Sequence, residues 1–283
     1  MNNFPFAKFS TMTKEYEVSH WGSITVEEIY ELHHAGAKLK GGFSRIDYQM
    51  SRGASSPSFK SLTTTLPARS SNIYYRDQIG NISTSDLRFD KDGDLQLEVE
   101  TRFPMFGGWK TQFYIGYSIP TEIALYQDST DRYNLKLDFY TAFEDVWVED
   151  MELKVVLPEG CTDVQVKVPY TVEQSSAKRL NHNIYKRLSI STHLLLCYVY
   201  RFTYLDSELN GGRTVIILKA KNLVEEHDKQ VHISYRFSSP RILVEPFMLV
   251  ISYLMFFLVC SMLARTSTTK IQPSNDAPTS SSS

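Results

Sequence analysis

Few groupings in this 283-residue chain could do chemistry. His33-His34 places two imidazoles side by side. Adjacent residues of a strand point to opposite faces, so the two rings cannot readily share one ion. No Glu or His at metal-ligand spacing accompanies them. Asp90, Asp92 and Asp94 begin like a calcium loop, but the sixth position, where Gly is needed, is Leu95, and the twelfth, where Glu is needed, is Thr101. Asp92-Gly93 between two alternating runs reads as a hairpin turn. Glu144-Asp145 and Glu149-Asp150 are acidic pairs. Work on a sugar needs two carboxylates roughly 5–10 Å apart across the scissile bond, and solvated strand ends are the expected home of pairs adjacent in sequence. The chain has no GxSxG, no HExxH, no P-loop and no dinucleotide glycine motif. The expectation is a protein with no catalytic residues of its own, no cofactor and no metal.

One triplet invites modification. Asn81-Ile82-Ser83 is the only N-x-[ST] sequon in the sequence. It follows Ile79-Gly80 and precedes the polar Thr84-Ser85-Asp86, which reads as a surface loop. A glycan on Asn81 would require the surrounding domain to lie in the secretory lumen.

The elements that must position these residues are mostly strands. Hydrophobic residues make up 42% of the chain, enough to build a core. The 17 Tyr and 16 Phe favour pleated surfaces, where aromatic side chains pack well. A net charge of -2 excludes a typical nucleic-acid binder, which needs a basic excess. Three cysteines, Cys161, Cys197 and Cys260, form neither a disulfide framework nor a CxxC pair.

Residues 1–15 read as a polar, poorly organised lead without the basic and apolar regions of a secretory signal peptide. From residue 16 to 240 the period is two. Ile24, Val26, Tyr30 and Leu32 keep it, with a break at Glu28. Leu95, Leu97 and Val99 keep it, as do Leu135, Leu137 and Phe139. Val164, Val166, Val168, Tyr170 and Val172 form the cleanest run, and Val231, Ile233, Tyr235 and Phe237 another. Turn signals at Lys91-Asp92-Gly93, Phe106-Gly107-Gly108, Pro158-Glu159-Gly160 and Asn210-Gly211-Gly212 separate the runs. Short strands punctuated this way predict an all-β region of the β-sandwich type, as one sandwich or two.

Residues 177–201 depart from the pattern. They carry Lys178, Arg179, Lys186, Arg187 and Arg201 with no acid, around the apolar run Leu194 to Tyr200. An insertion lying outside the sheet is expected. The stretch Leu243 to Ala264 is different again. Its roughly 22 residues would rise about 33 Å as a helix, enough to cross the hydrocarbon core. Its single charge, Glu245, sits near one end beside Pro246, which a first helical turn tolerates. A transmembrane helix over 241–265 is predicted, followed by a polar tail, 266–283, disordered by composition and cytosolic by the basic Arg265 and Lys270.

Several stretches are diagnostic together: Val18 to Gly22 (VSHWG), His34 to Gln49 (HAGAKLKGGFSRIDYQ), Leu66 to Ser85 (LPARSSNIYYRDQIGNISTS) and Arg102 to Tyr117 (RFPMFGGWKTQFYIGY). VVLPEG (155–160), YLD (204–206), KNLVEEH (221–227) and EPFMLV (245–250) follow in colinear order. In these the chain resembles the ribophorin I family, subunit 1 of the oligosaccharyltransferase of the endoplasmic reticulum. The resemblance implies a partial chain, because the family carries a signal peptide and a further lumenal region ahead of VSHWG. It implies a lumenal β region on a single-pass anchor in the endoplasmic reticulum membrane. It also implies a non-catalytic role: stabilising a complex whose catalytic subunit transfers lipid-linked oligosaccharide to Asn, and presenting nascent polypeptides to it. The partners implied are the other oligosaccharyltransferase subunits, nascent chains and the membrane, with no nucleic acid. Two other classes compete. A type I membrane binding or adhesion module with a β-sandwich ectodomain would purify without such subunits. A glycosidase would show two facing carboxylates in a concave pocket.

Overall fold

The computed structural model describes residues 4–19, 21–50, 57–89, 95–128, 131–141, 143, 145–158, 160–169, 173–180, 213–237 and 243–266. The strands are β1 (Ala7–Val18), β2 (Ser23–His34), β3 (Phe59–Leu66), β4 (Ser71–Asp77), β5 (Asp86–Phe89), β6 (Leu95–Met105) and β7 (Lys110–Pro120), followed by β8 (Leu125–Gln127), β9 (Arg132–Asp138), β10 (Trp147–Val156), β11 (Thr162–Lys167), β12 (Glu173–Leu180), β13 (Arg213–Leu223) and β14 (Gln230–Arg236). The helices are the short α1 (Arg45–Met50) and α2 (Thr121–Ala124) and the long α3 (Val244–Thr266).

A seven-stranded sheet runs β12-β13-β10-β1-β2-β7-β4, with β1 and β10 parallel and its other pairs antiparallel. A four-stranded sheet, β11-β14-β9-β8, and a three-stranded sheet, β3-β6-β5, complete the β region. All three contribute to one continuous apolar core: Phe9, Ile24, Val26 and Leu32 from the large sheet, Leu97 and Val99 from β6, Leu135, Val231 and Ile233 from the four-stranded sheet. Burying each such side chain contributes about 1.5–3 kcal/mol. The all-β expectation with one C-terminal apolar helix therefore holds.

Three local expectations are corrected. The lead is organised from Ala7 onward, because Phe9, Met12 and the aliphatic stem of Lys14 point into the core from β1. The sparse hydrophobic residues of residues 1–15 hid a strand whose outer face is polar. The period of β2 is not broken at Glu28 either: Glu28 is buried in strict alternation with its neighbours, so a carboxylate occupies a core position. Finally, residues 177–180 are not outside the sheet but close β12, whose backbone pairs with β13. The remainder of that segment, 181–201, lies outside the described residues. In the Val164 to Val172 run the strand stops at Lys167, and residues 170–172 lie outside the described residues.

Helix α3 has an apolar stretch, Pro246–Arg265, of which none is buried. Twenty-three helical residues rise about 34 Å, a little more than the ~30 Å hydrocarbon thickness of a bilayer. Exposed Phe247, Leu254, Phe256, Phe257 and Leu263 clothe it on all sides. A helix apolar all round and unburied needs an apolar medium, and α3 is a candidate membrane span.

Candidate functional site

Three of the longest diagnostic stretches meet at one end of the large sheet. At His34 the chain leaves β2 and folds over the turn between β6 and β7. The Gly108 amide donates to the His34 carbonyl at 2.9 Å, the His34 amide donates to the Trp109 carbonyl at 3.0 Å, and the Leu39 amide donates to the Gly107 carbonyl at 3.2 Å. A Cβ on Gly107 would lie 1.7 Å from the Ala37 carbonyl oxygen, so only glycine admits this approach. Gly108 has φ +88°, the left-handed region that suits glycine. The Phe43 ring sits 5.3 Å from that of Phe106 and 5.4 Å from that of Trp109, and Tyr48 of α1 packs on Phe106 at 5.8 Å. These contacts hold the excursion on the turn. The FGGW motif is thus a docking surface for the AGAKLKGGF stretch.

The second link is ionic. Arg102, at the end of β6, donates from Nε and Nη2 to both carboxylate oxygens of Asp77, at 2.5 and 2.8 Å. Asp77 Oδ1 also accepts the amides of Ile79 and Gly80, at 2.9 and 3.0 Å. The guanidinium above all, with the two amides, lowers the carboxyl pKa from 3.8 to about 2. This single side chain both closes the tight turn after β4 and ties it to β6.

That turn presents the sequon. Asn81 is exposed and bridges back to Arg76, whose Nε donates to Asn81 Oδ1 at 2.6 Å. The Ile82 amide donates to the Tyr75 carbonyl at 3.2 Å, and Ser83 is exposed. Arg76 engages the amide oxygen and not the nitrogen to which a glycan is joined.

The other candidates separate. His34 is buried, its Nδ1 accepting the Gly36 amide at 3.0 Å, so its proton is on Nε2, which donates to the Pro57 carbonyl at 3.0 Å. His33 lies on the opposite face, half-buried. Glu149 pairs with Lys8 at 2.5 Å and Asp150 with Lys221 at 3.7 Å. Asp145 stands in a turn, while Glu144, Asp90, Asp92 and Asp94 lie outside the described residues. Among the described residues no cluster of three or more His, Cys, Asp or Glu could hold a metal. Cys161 is buried and Cys260 is exposed on α3, whereas Cys197 lies outside the described residues. Leu243 precedes α3, Glu245 and Pro246 lie in its first turn, and Ala264 in its last.

Sequence reasoning missed a polar network inside the core. Lys14 Nζ lies 3.0 Å from Glu28 Oε1 and donates to the Tyr140 carbonyl at 3.0 Å. Tyr30 donates to Glu28 Oε2, and Tyr117 donates to Oε1 at 3.1 Å. Thr141 Oγ1 is 3.0 Å from the Tyr30 hydroxyl, and Tyr16 donates to the Asp138 carbonyl at 3.1 Å. Burial by itself would depress the Lys14 pKa; the facing Glu28 carboxylate, together with Tyr16 and Tyr117, outweighs it and holds the ammonium well above the ordinary value. Burial pushes the Tyr16 phenol up to about 12. Every member is partnered, so the network fastens β1, β2 and β7 to the segment after β9. The only signal in the sequence is two opposite charges at inward-facing strand positions.

Comparison with known proteins accords with this motif geometry. The family profile described as Ribophorin I matches residues 1–264. Dolichyl-diphosphooligosaccharide–protein glycosyltransferase subunit 1B of Oryza sativa subsp. japonica is 39% identical over 260 residues, 92% of this chain and 50% of that protein. Dolichyl-diphosphooligosaccharide–protein glycosyltransferase subunit 1 of Caenorhabditis elegans is 39% identical over 279 residues, 98% of this chain and 43% of that protein. The chain therefore spans about half the length of the curated relatives it matches. Among solved structures, an M1 zinc metallopeptidase from Deinococcus radiodurans superposes with a TM-score of 0.39 at 8% identity, over 81% of this chain and 42% of that one, a likeness too low to carry any argument. With the profile matching nearly the whole chain, and with the diagnostic stretches packed on one another, this chain belongs to the Ribophorin I family.

Proposed function

We propose that the chain acts as a non-catalytic subunit of the oligosaccharyltransferase complex of the endoplasmic reticulum membrane. Its β region, 16–240 with the preceding strand residues, stands in the lumen. Residues 241–265 anchor it, and the tail, 266–283, lies in the cytosol. It stabilises the complex and presents nascent polypeptides to a different subunit, which carries the transfer chemistry. The observation that carries this reading is the colinear family match over 1–264, together with relatives named as subunit 1 of that glycosyltransferase. The buried Glu28 carboxylate, bonded by Lys14, Tyr30 and Tyr117, fits a structural role for the core network.

The test is affinity purification of a tagged chain from cells, followed by identification of what accompanies it. Other oligosaccharyltransferase subunits should co-purify in fixed ratio. Recovery of the chain without them would overturn the reading in favour of a free-standing membrane binding module. Orientation is tested at Asn81. In a lumenal β region Asn81 carries a glycan, seen as an endoglycosidase-sensitive mass shift that Asn81→Gln abolishes. The non-catalytic role has its own check: no single Asp, Glu or His substitution should lower transfer a hundredfold while abundance and assembly stay normal.

A further inference from the structure

Beside the sequon turn, the outer face of the large sheet carries a cleft of about 440 Å³. Its walls come from the ends of β2, β6 and β7 and from the turn after β4. Its charges cancel in pairs: Asp77 with Arg102 at 2.5 Å, and Glu31 with Lys110 at 3.8 Å. Two exposed amides in the lining meet, with Gln78 Nε2 donating to Gln112 Oε1 at 2.9 Å. At the lip stands Phe103, whose ring is held edge-on by Trp109 at 5.8 Å and remains partly exposed.

We propose that this cleft is a binding site for a neutral saccharide. A site whose ionic groups are already matched in pairs carries no net charge to attract a charged ligand. Planar amides that already bond one another present further donors and acceptors to hydroxyl and acetamido groups. An exposed aromatic ring supplies the apolar platform that the C–H face of a pyranose needs. The cleft's volume lies within the range of small-ligand sites, and its mostly polar lining suits a polyhydroxylated ligand better than an apolar one. Two sources share the chemistry. The core sugars of a glycan on Asn81 would start four residues from Asp77, at the turn that forms one wall. A sugar borne by another molecule would enter from solvent. The first source rests on the lumenal reading proposed above; the site itself does not.

The experiment uses the full chain in lipid nanodiscs, which avoids sugar-headed detergent. Saturation-transfer NMR is recorded with N,N′-diacetylchitobiose on glycan-free Asn81→Gln chain. Saturation transfer is expected, and Gln112→Ala, added to that chain, should weaken binding about fivefold, the scale of one lost hydrogen bond. Phe103→Ala should weaken it further while the melting temperature stays within a few degrees. Two outcomes overturn the proposal: no transfer to chitobiose in a folded Asn81→Gln chain, or equal binding in Gln112→Ala and its parent. Competition by inorganic phosphate would overturn it too, since it would mark an anion site. The glycosylated chain distinguishes the sources. Reduced chitobiose binding there supports occupation by the protein's own glycan, and undiminished binding supports a saccharide from elsewhere. If Asn81 is never glycosylated but chitobiose binds, the lumenal reading fails and the cleft stands.

Discussion

The ring of Tyr74 lies directly on Gly116 of the neighbouring strand: a Cβ placed on Gly116 would be 2.0 Å from Tyr74 Cζ. The ring covers the bare backbone of β7, and its hydroxyl reaches across to donate to Glu27 Oε2 on β2 at 2.9 Å. One aromatic side chain on β4 thus spans two neighbours, and the glycine in KTQFYIGY is the position that lets it lie flat.

This relationship separates two glycines of the same motif. Gly116→Ala displaces the far end of a side chain, which can swing aside with loss of the Glu27 bond. We expect a cost of about 1–3 kcal/mol, largely removed when Tyr74→Ala is introduced with it. Gly107→Ala meets backbone, the Ala37 carbonyl, which has no rotamer to offer. It should cost more than Gly116→Ala and free the 35–50 excursion. Thermal melts of both variants, with limited proteolysis between Lys38 and Arg45, check the ranking; equal costs with unchanged cleavage would refute it.

The Lys14–Glu28 pair should behave as a buried ion pair. Both side chains are at most 5% exposed. Lys14→Met leaves a carboxylate in the core with only phenols and no cation, which should cost roughly 3–5 kcal/mol. Lys14→Met combined with Glu28→Leu removes the orphan charge and should be less damaging than Lys14→Met alone. Denaturant titration of the single and double variants measures this, and strict additivity would sink it.

The Asp77–Arg102 link is testable by pH. The folded carboxyl pKa, about 2, lies below its ordinary 3.8. A depressed acid contributes stability that is fully present above the ordinary value and is lost as pH falls through the folded one. The turn after β4 should therefore loosen between about pH 4 and pH 2. Arg102→Ala should return the carboxyl toward its ordinary pKa and move that loosening to higher pH. Carboxyl NMR titration of Asp77 in both proteins decides the point: an unchanged pKa in the variant would exclude Arg102 as the cause.

Helix α3 should tolerate little polarity at its centre. Phe256 is exposed near the middle of the Pro246–Arg265 stretch. Phe256→Arg should add about 2.5–3.5 kcal/mol to insertion and shift a measurable fraction of the chain into the alkaline-extractable pool. Full retention in the membrane pellet would argue that α3 is held there by protein and not by lipid.

The sequence by itself determined the strands that alternate visibly, such as Leu95, Leu97 and Val99, and Val231, Ile233 and Tyr235, because period-two burial is a property of a single chain segment. It determined α3 for the same reason, since length and apolarity need no partner to be read. Its motifs also carried the family. The tertiary structure decided the rest. Glu28 looked like an interruption because a carboxylate in a core is affordable only if Lys14, Tyr30 and Tyr117 converge on it from three strands, and that convergence has no local signature. β1 was hidden because its polar outer face diluted the hydrophobic signal, while its parallel pairing with β10 joins residues more than a hundred positions apart. FGGW and AGAKLKGG could be recognised in the sequence but not explained, because the need for Gly107 arises only where Ala37 arrives against it. The sequon was legible as a triplet. That it sits on a turn pinned by Asp77 and Arg102, beside a charge-balanced cleft, depends on side chains brought together from β4 and β6, and only the folded chain brings them there.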